Sequence, residues 1–235
     1  MEKPQLIKNG KRLDGRSFDQ LRPIKIVAGV VKNATGSAYL EWGANKIYAA
    51  VYGPTEALPK HTANPKQAVI KCRYSMAPFS SLEEHGRSGA NRRATEISKV
   101  TKEVFENAIM IEKFPNSEID IYIEVLQSDG GTRAAGITAA GVALADSGIP
   151  ARDIPFAVSA GKANGEIILD LDKLEDNYSD ADMPVAIYPN LGKVGLLQMD
   201  GSLTKEEFDK AIGMIKESGR EISKIQKAAI SEMYE

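Results

Sequence analysis

The sequence has very few of the residues that bind soft metals or form disulfides. Among its 235 residues, Cys72 is the only cysteine, and His61 and His85 are the only histidines. A single cysteine excludes an internal disulfide and a cysteine-rich zinc site, and two histidines so far apart disfavour a histidine-based metal cage. These absences remove many metal-dependent nuclease mechanisms.

Long apolar runs and an excess of either charge are missing as well. No uninterrupted apolar segment approaches the roughly 20 residues that span a bilayer, and the opening residues MEKPQLIKNGKRLDGR have no apolar stretch after their charges. We therefore expect a cytoplasmic protein with no membrane partner. The formal net charge is -2, so binding to nucleic acid would need a local basic patch.

The composition is that of an ordinary globular protein, with 43% apolar and 26% charged residues. Short β-prone runs in residues 22–54 predict an antiparallel meander, and QAVIKCRYSMAPF predicts another strand. A helix is predicted from about Asn91 to Ile109. Its core-facing residues, at helical spacing, are Ile97, Val100, Val104, Phe105 and Ala108.

The second part of the chain repeats this order of strands followed by helix. SEIDIYIEVLQ alternates like a half-buried strand, and the helix predicted after it is made almost wholly of small residues. Further strands follow Asp153, and an amphipathic helix starts near Thr204, where Thr204 and Glu207 form a capping-box pattern. These patterns predict an α/β fold of two halves that meet near residue 151.

The segment LQSDGGTRAAG, residues 126–136, has the features of an anion-binding turn. A strand that ends in Gly130 and Gly131 before a helix leaves backbone N–H groups at the positive helix end. Thr132 adds a hydroxyl donor, and Arg133 adds a planar fork suited to phosphate. The pattern is also typical of a plain tight turn with a solvated arginine. It lacks the Gly-Lys-Ser/Thr of a Walker motif.

The segment GRSGANRRATE, residues 86–96, gathers three arginines at the start of the predicted helix. Arg87, Arg92 and Arg93 stand where a positive charge is unfavourable to the helix dipole. A bound polyanion would offset that cost, and a solvated face assisted by Glu96 is the alternative explanation.

The segment LEDNYSDADMP, residues 174–184, gathers carboxylates in what we predict to be a loop between strands. Asp176, Asp180 and Asp182, with Glu175 beside them, could hold a magnesium or manganese ion. They could also provide a general acid or base near a phosphate group, or form only an acidic surface turn. Together, two anion-receiving segments and a carboxylate cluster favour phosphoryl chemistry on a phosphate-bearing polymer.

Together, these segments resemble those of the phosphorolytic exoribonucleases of the ribonuclease PH family, in the branch that forms the catalytic ring of the archaeal exosome. The resemblance runs from about Arg12 to the last helix. It is carried, in order, by RLDGRSFDQLRPI, YSMAPFS, NRRATEISKV, LQSDGGTRAAG and LEDNYSDADMP. It implies a ribosomal-protein-S5-domain-2-like α+β fold of two pseudo-symmetric halves, with antiparallel-rich sheets and packed helices. The implied division is an N-terminal extension, 1–20, and two exoribonuclease domains, 21–151 and 152–235.

The resemblance also implies roles for individual residues. Inorganic phosphate, the co-substrate, would be held by Arg93, Gly130, Gly131, Thr132 and Arg133. Asp176 would protonate the leaving 3'-oxygen, and Asp182 would support it by hydrogen bonding; both are candidate ligands of Mg²⁺ or Mn²⁺. Arg92 and Lys60 would grip single-stranded RNA, although the family often has arginine where this chain has Lys60, and lysine lacks the bidentate fork.

The implied activity is processive 3'-to-5' phosphorolysis of RNA that releases nucleoside 5'-diphosphates and is reversible towards tailing. The implied assembly is a hexameric ring in which three copies alternate with a related non-catalytic subunit, capped by S1- or KH-domain proteins. Alternatives are a non-catalytic RNA-binding ring subunit, a carboxylate-metal hydrolase, and a bacterial-type tRNA-trimming enzyme, which the DGR opening disfavours. The presence of the complete set of site residues favours the catalytic subunit.

Overall fold

The computed structural model describes residues 4–8, 10–81 and 92–234. The first half of the chain forms a five-stranded sheet in the order β3-β4-β5-β7-β6. Its strands are β3 (Ile24–Ala28), β4 (Gly36–Trp42), β5 (Asn45–Glu56), β6 (Val69–Met76) and β7 (Ser117–Gln127). A small hairpin precedes it, made of β1 (Ile7–Lys8) and β2 (Lys11–Arg12).

The antiparallel meander expected in residues 22–54 is confirmed. Strands β3, β4 and β5 pair antiparallel in sequence order, and β7 then pairs antiparallel with β5. Strand β6 pairs with β7 in parallel instead. Its connection is helix α1 (Arg92–Ala108), which packs against β6. Parallel neighbouring strands need a long crossover connection, and α1 provides it between β6 and β7.

Helix α1 confirms the predicted helix, with one change to its buried face. Ile97, Val104, Phe105 and Ala108 are buried, whereas Val100 is only partly buried. Thr101 is buried in its place. Residues 82–91 lie outside the described residues; they include His85, Arg87 of the arginine-rich segment, and Asn91, the predicted first residue of this helix.

The second half forms another five-stranded sheet, in the order β11-β10-β8-β9, with β12 also paired to β10. Its strands are β8 (Phe156–Ala163), β9 (Glu166–Leu169), β10 (Ala181–Tyr188), β11 (Lys193–Leu197) and β12 (Asp200–Gly201). The last helix, α4 (Lys205–Tyr234), starts at the predicted capping box. There Glu207 N donates to Thr204 Oγ1 over 3.3 Å, and Thr204 N donates to Glu207 Oε2 over 2.8 Å.

Helix α2 (Thr132–Asp146) lies between the two sheets. This position explains why most of its residues are small. The helix packs against β4 and β5 of the first sheet and against β8 of the second. A helix buried on all sides must let backbones approach closely. At Gly141, an added Cβ would lie only 2.5 Å from the Pro155 carbonyl oxygen. One hydrophobic core therefore contains side chains from both sheets.

The third helix corrects the expectation that the acidic segment is a loop. Residues Lys173–Tyr178 form a short helix, α3, and strand β10 begins at Ala181. Asp176 therefore lies on a helix and Asp182 on a strand. Within the described ranges, no helix is long and apolar enough to cross a membrane.

Candidate active site

The turn between β7 and α2 presents backbone N–H groups at one end of the central helix. Gly130 and Gly131 have φ angles of 69° and 65°, a left-handed conformation that costs glycine little. Gly131 is the N-cap of α2, and no side chain caps the helix there. The first-turn amides and the positive end of the helix dipole therefore suit an anion.

The turn is held in place by side chains from the first sheet. Asn45 accepts a hydrogen bond from Asp129 N over 2.6 Å and donates to the Gly130 carbonyl over 2.7 Å. The Arg22 guanidinium donates to the Asp129 carbonyl. Both carbonyls that would otherwise repel an anion are thereby directed into the protein.

Arg22 is fixed in turn by Asp170, which lies just after β9 and is almost fully buried. Arg22 donates to Asp170 Oδ1 over 2.7 Å, and Trp42 Nε1 donates to Oδ2 over 2.9 Å. Burial by itself would raise the pKa of Asp170, but the charge and hydrogen bonds of Arg22 outweigh it, so the pKa is lowered. A carboxylate of the second half thus anchors the turn of the first.

Thr132 begins α2, and its side chain is buried next to Tyr74. The Tyr74 hydroxyl donates to Thr132 Oγ1 over 2.8 Å. With that acceptor position filled, the Thr132 hydroxyl hydrogen is free to turn towards a ligand.

Arg133 is oriented by a carboxylate and an amide from two other elements. Arg133 Nη2 donates to Glu96 Oε2 of α1 over 3.0 Å. Gln198, which follows β11, donates to the other oxygen of Glu96 over 2.7 Å. Arg133 Nε is buried without a hydrogen-bond partner among the described residues. This unpaired N–H is a second indication that the site is built for an anion.

The acidic segment is positioned by a capping box and by the N-terminal hairpin. Glu175 N donates to Asp172 Oδ1 over 2.9 Å, and Asp172 N donates to Glu175 Oε2 over 3.0 Å. Arg12 pairs with the buried Glu175 carboxylate, with Nε to Oε1 at 2.7 Å. Glu175 therefore serves the fold of α3, and Asp176 beside it is left to face the turn.

The three predicted segments meet at one small pocket of about 50 Å³. Arg93 from α1, Gly130 and Thr132 from the turn, and Asp176 from α3 all line it. Ser81, Ser128, Lys173 and Asn177 complete its polar lining. Cationic and hydroxyl donors thus stand beside a carboxylic acid.

The two aspartates near this pocket hold their protons more tightly than usual. Burial raises the pKa of Asp176, although Arg93 and Arg133 partly oppose it. Burial, together with the charge of Asp176, raises the pKa of Asp182 to about 7. Asp182 Oδ1 is buried and has no hydrogen-bond partner among the described residues. The two carboxyl groups therefore titrate as a coupled pair, and the last proton leaves it near pH 7.

Two of the predicted RNA contacts lie outside this pocket. Arg92 is exposed at the first turn of α1, next to Arg93. Lys60 is 82% exposed and pairs with Glu56 at 3.2 Å. Its loop touches Glu118, since Leu58 N donates to Glu118 Oε2. Glu118 is the second residue of β7, and the pocket lies at the other end of this strand, so the two sites are about 30 Å apart.

Metal binding would rest on Asp176 and Asp182. In residues 4–8, 10–81 and 92–234, no group of three or more His, Cys, Asp or Glu could hold a metal ion. The unpaired Asp182 oxygen nevertheless fits a hard cation, because Mg²⁺ is often held by one or two carboxylates plus waters and substrate phosphates.

Several supporting residues carry no local signal that sequence reasoning could use. Asn45, Tyr74, Glu96, Asp170 and Gln198 act through partners at least 37 positions away in the sequence. Tyr74 and Glu96 lie in the recognised segments YSMAPFS and NRRATEISKV, which were the available indications of their roles.

Comparisons with known proteins find matches over nearly the whole chain. Two models of the 3' exoribonuclease family match the chain, domain 1 over residues 20–150 and domain 2 over residues 153–217. The exosome complex component Rrp41 of Thermoplasma volcanium is 57% identical over 223 residues, which cover 95% of this chain and 90% of that protein. Its counterpart in Pyrococcus abyssi is 55% identical over 238 residues, covering 100% of this chain and 95% of that protein.

Solved structures share the fold at lower sequence identity. Rice Rrp46 superposes with a TM-score of 0.84 at 23% identity, covering 94% of this chain and 100% of that one. A chain of the Archaeoglobus fulgidus exosome with RNA bound to the active site gives 0.79 at 23% identity, covering 92% of each chain.

Proposed function

The chain belongs to the 3' exoribonuclease family of the ribonuclease PH type, and on that premise we propose how its site cleaves RNA. The chain is a 3'-to-5' phosphorolytic exoribonuclease, as the sequence predicted. We propose that inorganic phosphate occupies the pocket formed by Arg93, Gly130, Thr132 and Asp176 and attacks the terminal phosphodiester. Gly131 and Arg133 complete the phosphate cradle.

The meeting of Arg93, Thr132 and Asp176 at one pocket carries this proposal. A phosphate dianion attacking a phosphodiester brings like charges together, so the nucleophile needs a cationic surround. The two arginines and the start of α2 provide it. Asp176, on the facing side, is placed to meet the leaving group.

In the proposed step, an oxygen of inorganic phosphate forms a bond to the phosphorus of the terminal linkage. The bond from that phosphorus to the 3'-oxygen of the preceding nucleotide breaks, and the terminal residue departs as a nucleoside 5'-diphosphate. The 3'-oxygen takes a proton and becomes the new hydroxyl end. The reverse reaction adds a nucleotide from a diphosphate and releases phosphate.

The proton comes from the Asp176–Asp182 pair. Asp176 lines the pocket and donates directly, while Asp182 behind it keeps a proton near neutral pH because its pKa is raised to about 7. A general acid is most effective when its pKa lies near the working pH. This arrangement removes the difficulty that an ordinary aspartate would be ionised at pH 7.

A divalent cation is the second role proposed for these carboxylates. Asp176 and Asp182 would hold Mg²⁺ or Mn²⁺, which would neutralise charge on the reacting phosphates. Titration of metal-free enzyme with Mg²⁺ and with Mn²⁺ tests this, read as isothermal heat and as activity. Unchanged heat and activity, in the wild type and in Asp182→Asn alike, would contradict a metal role.

RNA would approach along the cationic side of α1. Arg92 lies next to Arg93 and would hold the backbone near the scissile bond. Lys60, about 30 Å away at the far end of β7, would contact single-stranded RNA several nucleotides upstream.

We propose that the chain works in an exosome, where three copies alternate with a related non-catalytic subunit in a hexameric ring. Exposed apolar side chains just before β11, at its end and just after it support a partner surface: Leu191, Leu197 and Met199. S1- or KH-domain proteins would cap one face. Light scattering of the isolated chain and of the co-expressed pair tests the ring, and a fully active monomer would contradict it.

Product analysis tests the reaction itself. Radiolabelled poly(A) is incubated with the assembled enzyme, with and without inorganic phosphate, and the products are separated by thin-layer chromatography. We expect nucleoside diphosphates only with phosphate, and none for Asp176→Ala. Asp209→Ala, at an exposed aspartate of α4, serves as the control. Monophosphates formed without phosphate would instead identify a hydrolase.

A further inference from the structure

A second recess lies between α4 and the turn that joins β10 to β11, and it shares no lining residue with the first pocket. Its volume is about 640 Å³. Ile187 lines it near one end of β10, whereas Asp182 lies near the other end of the same strand. Five strand residues span about 17 Å, so this groove is separate from the catalytic site.

The groove is strongly cationic in a chain whose formal net charge is -2. Five basic side chains line it: Lys193, Lys216, Arg220, Lys224 and Lys227. None of the five forms an ion pair within the described parts of the chain. The lysines that do are Lys60, Lys71, Lys102, Lys162 and Lys210. The groove therefore lacks the negative partners that its charges would favour.

Three of these cations form one row along the C-terminal helix. Lys216, Arg220 and Lys224 follow each other at intervals of four residues, which corresponds to about 6 Å of helix rise per step. Glu217 and Glu221 each follow a cation and lie about 100° further round the helix. Alternate side chains of an extended peptide are about 6.6 Å apart. The spacing of the three cations thus matches the spacing of carboxylates at every second position of an extended segment.

The floor of the groove is apolar, and it offers no aromatic face. Gly219 allows the Phe156 ring to pack against the helix, since an added Cβ would lie 2.2 Å from Phe156 Cζ. Phe156 is 2% exposed, so its ring cannot stack with a base. Val194, which is 49% exposed, supplies accessible apolar surface. Single-stranded nucleic acid sites combine basic grooves with stacking aromatics, so the floor favours a protein ligand.

We propose that this groove binds an extended acidic segment of a partner protein, in which carboxylates alternate with apolar residues. The carboxylates would face the row on α4, and the apolar side chains would face the floor. This mode of recognition uses the two-residue period of an extended chain, as in other peptide-binding grooves. It goes beyond the exoribonuclease activity and does not depend on it.

The test measures fluorescence anisotropy of a labelled twelve-residue peptide of alternating Glu and Val against the full-length chain. We expect saturable binding that weakens as salt rises. The triple variant Lys216→Gln, Arg220→Gln, Lys224→Gln is expected to weaken binding at least tenfold. The matched triple variant Lys8→Gln, Lys32→Gln, Lys66→Gln removes the same charge from exposed sites elsewhere and should bind like wild type.

Two further probes separate this proposal from its rivals. A peptide of alternating Glu and Ser tests the apolar floor and should bind more weakly; equal binding would contradict the alternating pattern. Oligo(A) should bind the wild type and the groove variant equally. A tenfold loss of oligo(A) affinity in the groove variant would overturn the proposal in favour of RNA. Circular dichroism confirms that each variant is folded.

Discussion

At the scale of single residues, Asp182 is a carboxylate whose burial opposes folding. Its pKa is about 7 in the folded chain, against an ordinary value of 3.8. The folded state therefore binds this proton more tightly than the unfolded chain. The stability that this group contributes is present below pH 4 and is lost as pH rises to about 7.

Asp182→Asn is accordingly expected to make the protein more stable at pH 8 and to leave stability at pH 4 nearly unchanged. The gain at pH 8 should be about 1–3 kcal/mol in the free energy of unfolding. Urea denaturation at the two pH values, with a chelator present, measures it. A loss of stability at pH 8 would contradict this prediction, because it would mean that the charged Asp182 carboxylate stabilises the folded protein.

The same substitution should change the pH dependence of phosphorolysis. In the wild type, we expect activity to fall above about pH 7, because the aspartate pair loses its shared proton there. Without the neighbouring negative charge of Asp182, the pKa of Asp176 falls. The decrease of the phosphorolysis rate at high pH should therefore begin at a lower pH than in the wild type. Single-turnover rates measured from pH 5 to 9 would show this. An unchanged onset of the decrease would exclude the pair as the proton source.

Phe79 is a residue whose exposure suggests contact with RNA. Its side chain is 75% exposed, and it stands two positions before Ser81, which lines the pocket proposed to bind phosphate. Stacking of a base on an aromatic ring contributes about 1–3 kcal/mol. We expect Phe79→Ala to raise the KM for RNA about tenfold and to leave the KM for phosphate unchanged. Phe79→Trp should retain RNA affinity, and Val27→Ala is the control at another exposed apolar residue.

At the scale of elements, Gly130 allows the turn between β7 and α2 to lie against the residue that precedes α3. A Cβ there would lie 2.5 Å from the carbonyl carbon of Asp172, in a backbone with positive φ. Gly148 has nearly the same φ but nothing within 4 Å of its Cβ position. Substitution of the two glycines by alanine therefore distinguishes the cost of backbone strain, present in both, from the cost of the steric clash, present only at Gly130.

Gly148→Ala should cost only the conformational penalty of about 1 kcal/mol. Gly130→Ala should cost at least about 2 kcal/mol more, because two backbones must separate. It should also abolish phosphate binding, since the turn and Asp176 would move apart. Thermal unfolding and phosphate titration of both variants measure these effects. Equal losses in the two variants would show that the turn does not rest on α3.

Regular elements could be predicted from sequence because their signal is local periodicity. Strand β7 and helices α1 and α4 followed the expected patterns closely. Helix α3 was predicted as a loop because six residues are too few to show a helical period. Its stability comes from the cap at Asp172 and from Arg12, which lies 163 positions from Glu175.

At the scale of the whole molecule, the two halves are joined by a buried polar cluster that no local pattern reveals. Arg22 and Trp42 of the first half meet at Asp170 of the second. The segments that would bind phosphate could be recognised from their residue types. Their meeting at one pocket depends on this cluster, so it required the folded structure.

The Arg12–Glu175 pair makes the N-terminal hairpin part of this architecture. Their side chains are 0% and 3% exposed, and Arg12 also donates to the Leu169 and Asp170 carbonyls over 2.6 and 2.8 Å. Removing one partner of a buried ion pair leaves the other charge without compensation. This usually costs about 3–5 kcal/mol.

Arg12→Met should therefore cost about 3–5 kcal/mol, and adding Glu175→Gln should recover part of that loss. Glutamine removes the buried charge and keeps an acceptor for Asp172 N, so the cap of α3 survives. Lys71→Met, which breaks the partly exposed pair with Glu118, should cost much less than Arg12→Met, because water screens an exposed ion pair. Urea denaturation at pH 7 of five proteins measures these differences: the wild type, Arg12→Met, Glu175→Gln, their double variant and Lys71→Met. Additive losses in the double variant would contradict a coupled pair, and the hairpin would then contribute by packing alone.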